Sequence, residues 1–213
     1  MTAADLSGCR LYGILDLGYV DVSHATRVAR AMITGGVDIL QLRAKNCGTA
    51  VIAKVATELR AVTKGTRVPL VINDHAAIAR DVGADGVHVG QDDGTLGDVR
   101  QVVGEHCIVG RSTHTLAQAR AADAEGADYL GFGPLFATPT KPDYVPIGLR
   151  DVAAAHLTVK RPIFCIGGIK LSNLAEVIAA GARRVVIVSG LLQAADIAEY
   201  ARSAKRLLTQ IET

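Results

Sequence analysis

The sequence predicts an α/β chain folded as a single-domain (β/α)8 TIM barrel spanning residues 1–213, on three observations. Eight short apolar runs alternate with longer amphipathic stretches, about 27 residues per unit, which suits a small eight-fold barrel. Most of the runs are nearly continuous in Val, Ile, Leu, Cys and Gly, as in parallel strands covered on both faces. A repeated Gly-containing turn precedes several of them: Gly35-Gly-Val-Asp38, Gly83-Ala-Asp85, Gly126-Ala-Asp128 and Gly181-Ala-Arg183. A Gly there suits a helix C-cap with positive φ.

The predicted strands are, in order, residues 11–16, 38–43, 68–73, 86–89, 107–111, 129–133, 162–166 and 184–188. Between the first two, Val22, Ala25, Val28, Met32 and Ile33 recur at helical spacing. Over residues 50–63 the residues Val51, Ile52, Val55, Leu59 and Val62 mark one helical face. Ser172 or Asn173 is placed to cap the helix carrying Leu174, Val177 and Ile178. The last helix is predicted over about residues 194–208. An open doubly wound sheet is the rival architecture. It calls for G-x-G-x-x-G after the first strand, where the chain reads Leu17-Gly-Tyr-Val20. No Pro/Ser-rich linker divides the chain.

Composition narrows the function classes. A chain that is 49% hydrophobic and 21% charged is neither disordered nor a coiled coil. The 23 Lys and Arg balance 21 Asp and Glu, so bulk charge favours neither nucleic acid nor a membrane surface. Aromatic residues are 4% with no Trp, which argues against a stacking platform for single strands. Cys9, Cys47, Cys107 and Cys165 lack zinc or dithiol spacing and read as free thiols. The N-terminus lacks a secretory h-region and no apolar run reaches membrane-spanning length, so a cytoplasmic protein is expected.

In a barrel, chemistry belongs at the C-terminal ends of the strands. There the sequence places Gln41, Arg43 and Lys45; Asn73, Asp74 and His75; Asp93; Ser112 and His114; and Thr138, Thr140 and Lys141. Asp74 and Asp93 form a pair suited to one Mg2+, which takes one or two carboxylates and leaves room for substrate phosphates. Arg43, Lys45 and Lys141 suit phosphate or pyrophosphate. Gln41, Asn73, Ser112, Thr138 and Thr140 can orient a ligand by hydrogen bonds. Gly167-Gly168 and Ser189-Gly190 follow strands seven and eight, where this architecture often grips a phosphate. Any one of these residues reads equally well as an exposed loop residue; it is their recurrence on five successive strand ends that points to a site. His88, inside a strand run, reads first as structural, and His24, His106 and His156 as peripheral. Zinc-ligand spacing, H-E-x-x-H and G-x-S-x-G are absent from the sequence.

In order along the chain, L-Y-G-I-L-D (11–16), Q-L-R-A-K (41–45), I-N-D-H (72–75), G-V-H-V-G-Q-D-D (86–93), G-R-S-T-H (110–114), G-F-G-P-L-F-A-T-P-T-K (131–141) and I-G-G-I (166–169) resemble the thiamine-phosphate synthase family. The resemblance implies coupling of 4-amino-5-hydroxymethyl-2-methylpyrimidine diphosphate to a thiazole phosphate, giving thiamine phosphate and pyrophosphate. It implies Mg2+ on Asp74 and Asp93. Gln41, Arg43, Lys45 and Asn73 then serve the diphosphate side, and Ser112 and Lys141 the leaving pyrophosphate. Arg43, Lys45, Ser112 and Lys141 thereby become the catalytic set. Thr138 and Thr140 lie beside the thiazole phosphate, and Gly168, Val188 and Ser189 form its pocket. The implied partners are these two small molecules, with no nucleic acid and no membrane; a homo-oligomer is compatible with the sequence.

Two departures accompany the resemblance. Leu15 replaces a common Thr before Asp16, and His75 stands where Arg is common. The alternatives are a thiazole tautomerase, which resembles this chain but carries His at the position of Pro134, and a non-catalytic thiazole-phosphate-binding protein. Since His75 carries charge only when protonated, His75→Arg is expected to tighten pyrophosphate binding and flatten its pH dependence. An unchanged binding profile, measured by titration calorimetry across pH, refutes that role.

Overall fold

The computed structural model describes residues 6–138 and 145–210. Eight parallel strands close in sequence order into a barrel. They are β1 (Leu11–Asp16), β2 (Ile39–Arg43), β3 (Leu70–Asn73), β4 (Gly86–Val89), β5 (Ile108–Thr113), β6 (Tyr129–Phe132), β7 (Ile163–Cys165) and β8 (Val185–Ile187). Around them run α1 (Ala25–Thr34), α2 (Thr49–Thr63), α3 (Ala76–Asp81), α4 (Leu96–Val103), α5 (Leu116–Ala124), α6 (Val152–Thr158), α7 (Leu174–Ala179), α8 (Ser189–Leu192) and α9 (Ile197–Thr209). The TIM-barrel expectation is met, and each predicted strand falls on an observed one within two residues at either end.

Alternation along each strand divides the core in two. Leu11 and Leu15, Leu40 and Leu42, Val87 and Val89, and Leu130 and Phe132 face outward and pack in the layer shared with the helices. Tyr12, Ile14, Ile39, Val71, Ile108, Tyr129, Phe164 and Val186 fill the barrel interior. This is the period-two pattern of a sheet buried on both sides. Tyr12, Tyr129 and Phe164 meet edge to face, with centroids 5.4–5.7 Å apart. Gly110 makes room for them, since a Cβ there would lie 2.1 Å from the Tyr129 ring.

The repeated turns do two jobs. Gly36, Gly83, Gly126 and Gly181 all have positive φ, and the next residue closes a backbone bond to the carbonyl five residues earlier. The Asp that follows in three of the turns then pins the preceding strand. Asp38 Oδ2 accepts from the N–H groups of Arg10 (2.8 Å) and Leu11 (2.9 Å), Asp85 Oδ2 from Leu70 N–H (2.8 Å), and Asp128 Oδ2 from Val109 N–H (2.7 Å). Lys205, Arg60 and Arg100 respectively pair with these carboxylates. The fourth turn carries Arg183 in place of Asp and has no such carboxylate.

Two local expectations are corrected. Asn173 precedes α7, but its side chain accepts from Lys170 N–H and donates to the Gly168 carbonyl, so it braces the preceding loop and does not cap the helix. The last helix starts at Ile197, later than expected, because Asp196 caps it by accepting from Glu199 N–H. The four cysteines are free, and Cys165 is buried with its Sγ 4.0 Å from His156 Nε2. Among the described residues, no helix is long and apolar enough to cross a membrane.

Burial, reinforced by Arg184 and Arg183, pushes the His156 imidazole down from 6.5 to about 4. The unfolded chain therefore binds the extra proton between these values, and stability falls as pH drops from about 6.5 towards 4. The full loss approaches roughly 3 kcal/mol at 1.4 kcal/mol per pH unit. His156→Gln is expected to flatten this slope in urea unfolding followed against pH; an unaltered slope refutes the assignment.

Candidate active site

The upper ends of the strands surround a cavity of about 750 Å3 including its open mouth. Inward-facing positions of successive strands line it: Ile14, Gln41 and Arg43, Asn73, His88, Ser112, Gly131, Ile166, Val186 and Val188. The loops beyond add His114, Gly133, Pro134, Thr138, Gly167, Gly168 and Ser189. Of the residues singled out from sequence, Gln41, Arg43, Asn73, Ser112, Thr138, Gly168, Val188 and Ser189 thus meet in one chamber. Thr140 and Lys141 lie outside the described residues.

The floor is a run of buried polar groups. Gln41 Nε2 donates to the Tyr12 hydroxyl (2.6 Å), which lies 2.9 Å from the Tyr129 hydroxyl. The Tyr129 hydroxyl is 3.0 Å from His88 Nδ1, and His88 Nε2 is 2.9 Å from Ser112 Oγ. The imidazole stacks on the Tyr129 ring, with ring centroids 5.4 Å apart. Burial raises both phenols above their ordinary range, so both stay protonated.

One wall is cationic and braced from β1. Asp16, 2% exposed, accepts from Arg43 Nη1 at 2.6 Å and, through its other oxygen, from Gly18 N–H at 2.9 Å. Asp16 and Arg43 are register partners in the β1–β2 pair, so the sheet itself sets the ion pair. A carboxylate beside the cation holds the guanidinium in a fixed plane, the geometry that suits an oxyanion.

Beside this wall lies a second charged group. Lys45 Nζ is 2.5 Å from Asp74 Oδ2. Asp74 turns the chain at the end of β3 with φ 63°, a conformation Asp tolerates better than most residues. Asp93 Oδ2 accepts from Gly90 N–H at 2.6 Å. Partial burial would raise the Asp93 carboxyl, but the Gly90 N–H, the adjoining Asp74 and the Lys45 and Arg111 charges hold it below the ordinary carboxylate range. Arg111, 8% exposed, donates to the Gly94 carbonyl (2.7 Å) and the Gln91 carbonyl (3.3 Å), fixing the loop that carries Asp93. Among the described residues, no three metal-ligating side chains converge. Two adjacent carboxyl groups, Asp74 and Asp93, are a donor set that fits Mg2+, whose remaining positions are normally filled by water and phosphate oxygens.

The opposite rim is built on glycine. Gly167 and Gly168 have φ 99° and 65°, and a Cβ on Gly168 would lie 2.6 Å from Phe136 Cβ. The Leu135 and Phe136 N–H groups donate to the carbonyls of Ile166 and Gly167. These glycines therefore seat the loop after β6 as well as shape the pocket. His75 precedes α3 and is not part of the cavity lining.

The model of the TMP-TENI family, described as thiamine monophosphate synthase, matches residues 11–191. The chain belongs to that family. A thiamine-phosphate synthase of Chloroflexus aurantiacus is 41% identical to this family member over 210 residues, covering 98% of this chain and 97% of that one. The thiamine-phosphate synthase of Halalkalibacterium halodurans is 40% identical over 189 residues, 88% and 90% of the two chains. The solved thiamine phosphate pyrophosphorylase from Pyrococcus furiosus superposes with a TM-score of 0.86 at 28% identity, covering 96% and 97%. The resemblance read from the motifs is met, and this member of the thiamine monophosphate synthase family is an enzyme, a transferase.

The sequence reading missed Asp16 as the brace of Arg43, and Tyr12, Tyr129 and His88 as the floor. Alternation carried the signal for three of them. Tyr12, Asp16 and His88 have outward-facing apolar neighbours and so had to point inward. Asp16→Ala is expected to lower urea-unfolding stability by about 3–5 kcal/mol, the cost of removing one member of a buried pair. Asp16→Asn should lose less, because its amide oxygen keeps the Gly18 bond. A loss below about 1 kcal/mol for Asp16→Ala places the pair with ordinary surface bridges.

Proposed function

We propose that this chain is a thiamine-phosphate synthase acting in the cytoplasm. It joins 4-amino-5-hydroxymethyl-2-methylpyrimidine diphosphate to 4-methyl-5-(2-phosphooxyethyl)thiazole, releasing pyrophosphate. The observation that carries the reading is one cavity with Arg43 on one side and a glycine-rich rim on the other, while Lys45, paired with Asp74, lies beside Arg43 outside the cavity lining. Two anionic substrates need two such sides, and their reacting rings must meet between them.

The reaction is read as a largely dissociative substitution at the pyrimidine methylene. The bond to the diphosphate oxygen breaks with its electron pair leaving on pyrophosphate, and the thiazole nitrogen then supplies a pair to the methylene. The protein's task is to neutralise the departing charge and hold the two rings in line. Arg43 and Lys45 supply positive charge beside the diphosphate, and Asn73 and Ser112 supply hydrogen bonds. The positive charge of Mg2+ on Asp74 and Asp93 would stabilise the leaving pyrophosphate. Gly168, Val188 and Ser189, with Thr138, hold the thiazole phosphate. Gln41 serves the diphosphate side with Arg43, Lys45 and Asn73. Pro134, in the cavity wall, has no proton to transfer, which favours coupling over tautomerisation.

The test is pyrophosphate release with both substrates, with and without Mg2+. Release is expected only with both substrates and the metal. Asp93→Ala should lower the rate by about a hundredfold or more, the worth of several kcal/mol of charge stabilisation. No release under the complete conditions defeats the synthase reading. Release that Asp93→Ala leaves unchanged removes that residue from metal binding.

A further inference from the structure

The polar run on the cavity floor has a direction, and hydrogen counting fixes it. Gln41 meets the Tyr12 hydroxyl through its amide nitrogen, which donates and cannot accept. The Tyr12 oxygen therefore accepts there and spends its single hydrogen on the Tyr129 oxygen, 2.9 Å away. Tyr129, having accepted, donates its own hydrogen to His88 Nδ1 at 3.0 Å. A neutral imidazole that accepts at Nδ1 carries its proton on Nε2. That proton is donated to Ser112 Oγ at 2.9 Å. The serine oxygen is thus an acceptor towards His88, and its own hydrogen is left for the chamber that Ser112 lines.

We infer that Gln41, Tyr12, Tyr129 and His88 form a one-way hydrogen-bond chain that holds His88 as the Nε2–H tautomer and so presents the Ser112 hydroxyl as a donor to an anionic group in the cavity. Two alternatives fail the same count. An imidazolium would donate at both nitrogens, turning the Tyr129 hydrogen back to Tyr12 and stranding the Tyr12 hydrogen in the barrel core, where an unpaired donor is costly. The reversed chain would have Ser112 donating to His88 Nε2, the arrangement of a serine nucleophile with its base. The direction found disarms that pair: His88 has no lone pair facing Ser112, so the hydroxyl is a donor and not an activated nucleophile. Both phenols are kept protonated by burial, so no hydrogen is missing from the chain.

The role of Ser112 as donor to departing pyrophosphate rests on the synthase reading above, whereas the tautomer does not. Gln41, Tyr12, Tyr129 and His88 are here positioning residues that act through Ser112. The tautomer is read directly by long-range 15N–1H correlation on the unliganded protein labelled with 15N-histidine, at a pH where the ring is neutral, with His88 assigned through His88→Gln. A protonated Nε2 and a bare Nδ1 are expected. A protonated Nδ1, or protons on both nitrogens, overturns the inference.

Two variants test cause. Tyr129→Phe removes the donor to Nδ1, so the single tautomer should give way to a mixture. With pyrophosphate release as readout, kcat should fall by about ten- to a hundredfold, a fraction of the loss on deleting such a donor outright, while KM for the thiazole phosphate holds. Gln41→Glu puts an acceptor-only carboxylate against Tyr12 and should reverse the His88 pattern. A His88 tautomer unmoved in Tyr129→Phe shows that the chain does not set it. Absent turnover with the expected tautomer sinks the synthase reading alone, and turnover with the reversed tautomer sinks this inference alone.

Discussion

Two phenolic hydroxyls at the centre of a closed barrel impose the constraint from which the rest of the upper structure follows. Tyr12 and Tyr129 supply ring area to the inner core, but each brings an oxygen and a hydrogen that cost free energy if left unpaired away from water. They satisfy one another only in part, so the run of polar groups must continue in both directions, to Gln41 and to His88. The rings also dictate where a side chain is absent: Gly110 yields to Tyr129. Below this level the barrel is apolar and filled; above it the inward positions become Arg43, Asn73 and Ser112. The cavity begins where the hydroxyls have to be answered.

Stability and chemistry are divided along the barrel axis. At the entry ends of the strands, Asp38, Asp85 and Asp128 each bridge two neighbouring strands and draw a cation from the helical layer. At the exit ends, Asp16 does for the Arg43 side chain what those carboxylates do for backbone. One residue type therefore serves fold and site by the same device, a carboxylate whose two roles are a neighbouring N–H and a cation. The charged cluster of Lys45, Asp74 and Asp93 differs. It is more open, and its cation, Lys45, is half-exposed where Arg43 is largely buried.

Much of the architecture was legible because it is written in short-range terms. Continuous apolar runs marked the strands, and glycines that need positive φ marked the helix exits at residues 36, 83, 126 and 181. The wall residues Gln41, Arg43, Asn73 and Ser112 were legible because polar side chains at strand ends stand out against Val and Ile. What escaped depended on partners distant in sequence. His88 looks structural until Tyr129 and Ser112 are placed on its two nitrogens, from 41 and 24 residues away. Asp16 gains its meaning only from the register that sets it beside Arg43. Asn173 satisfied a capping pattern locally, but the Gly168 carbonyl competed for the same side chain. The glycines at 167 and 168 were read as a phosphate turn, and their packing beneath Phe136 belongs to a loop some thirty residues earlier, beyond any local pattern.

The carboxylate pins join β1 to β2, β3 to β4 and β5 to β6, and the fourth junction, β7 to β8, goes without. There the ladder is brief, with a single register pair between Cys165 and Val185. The glycine-rich rim rests on that same junction, with Gly167 and Gly168 following one strand and Val188 and Ser189 the other. That rim therefore stands on the most lightly laced of the four junctions. The cationic side of the cavity stands on the five register pairs between β1 and β2, so the two sides of one cavity rest on the longest and the briefest of these ladders.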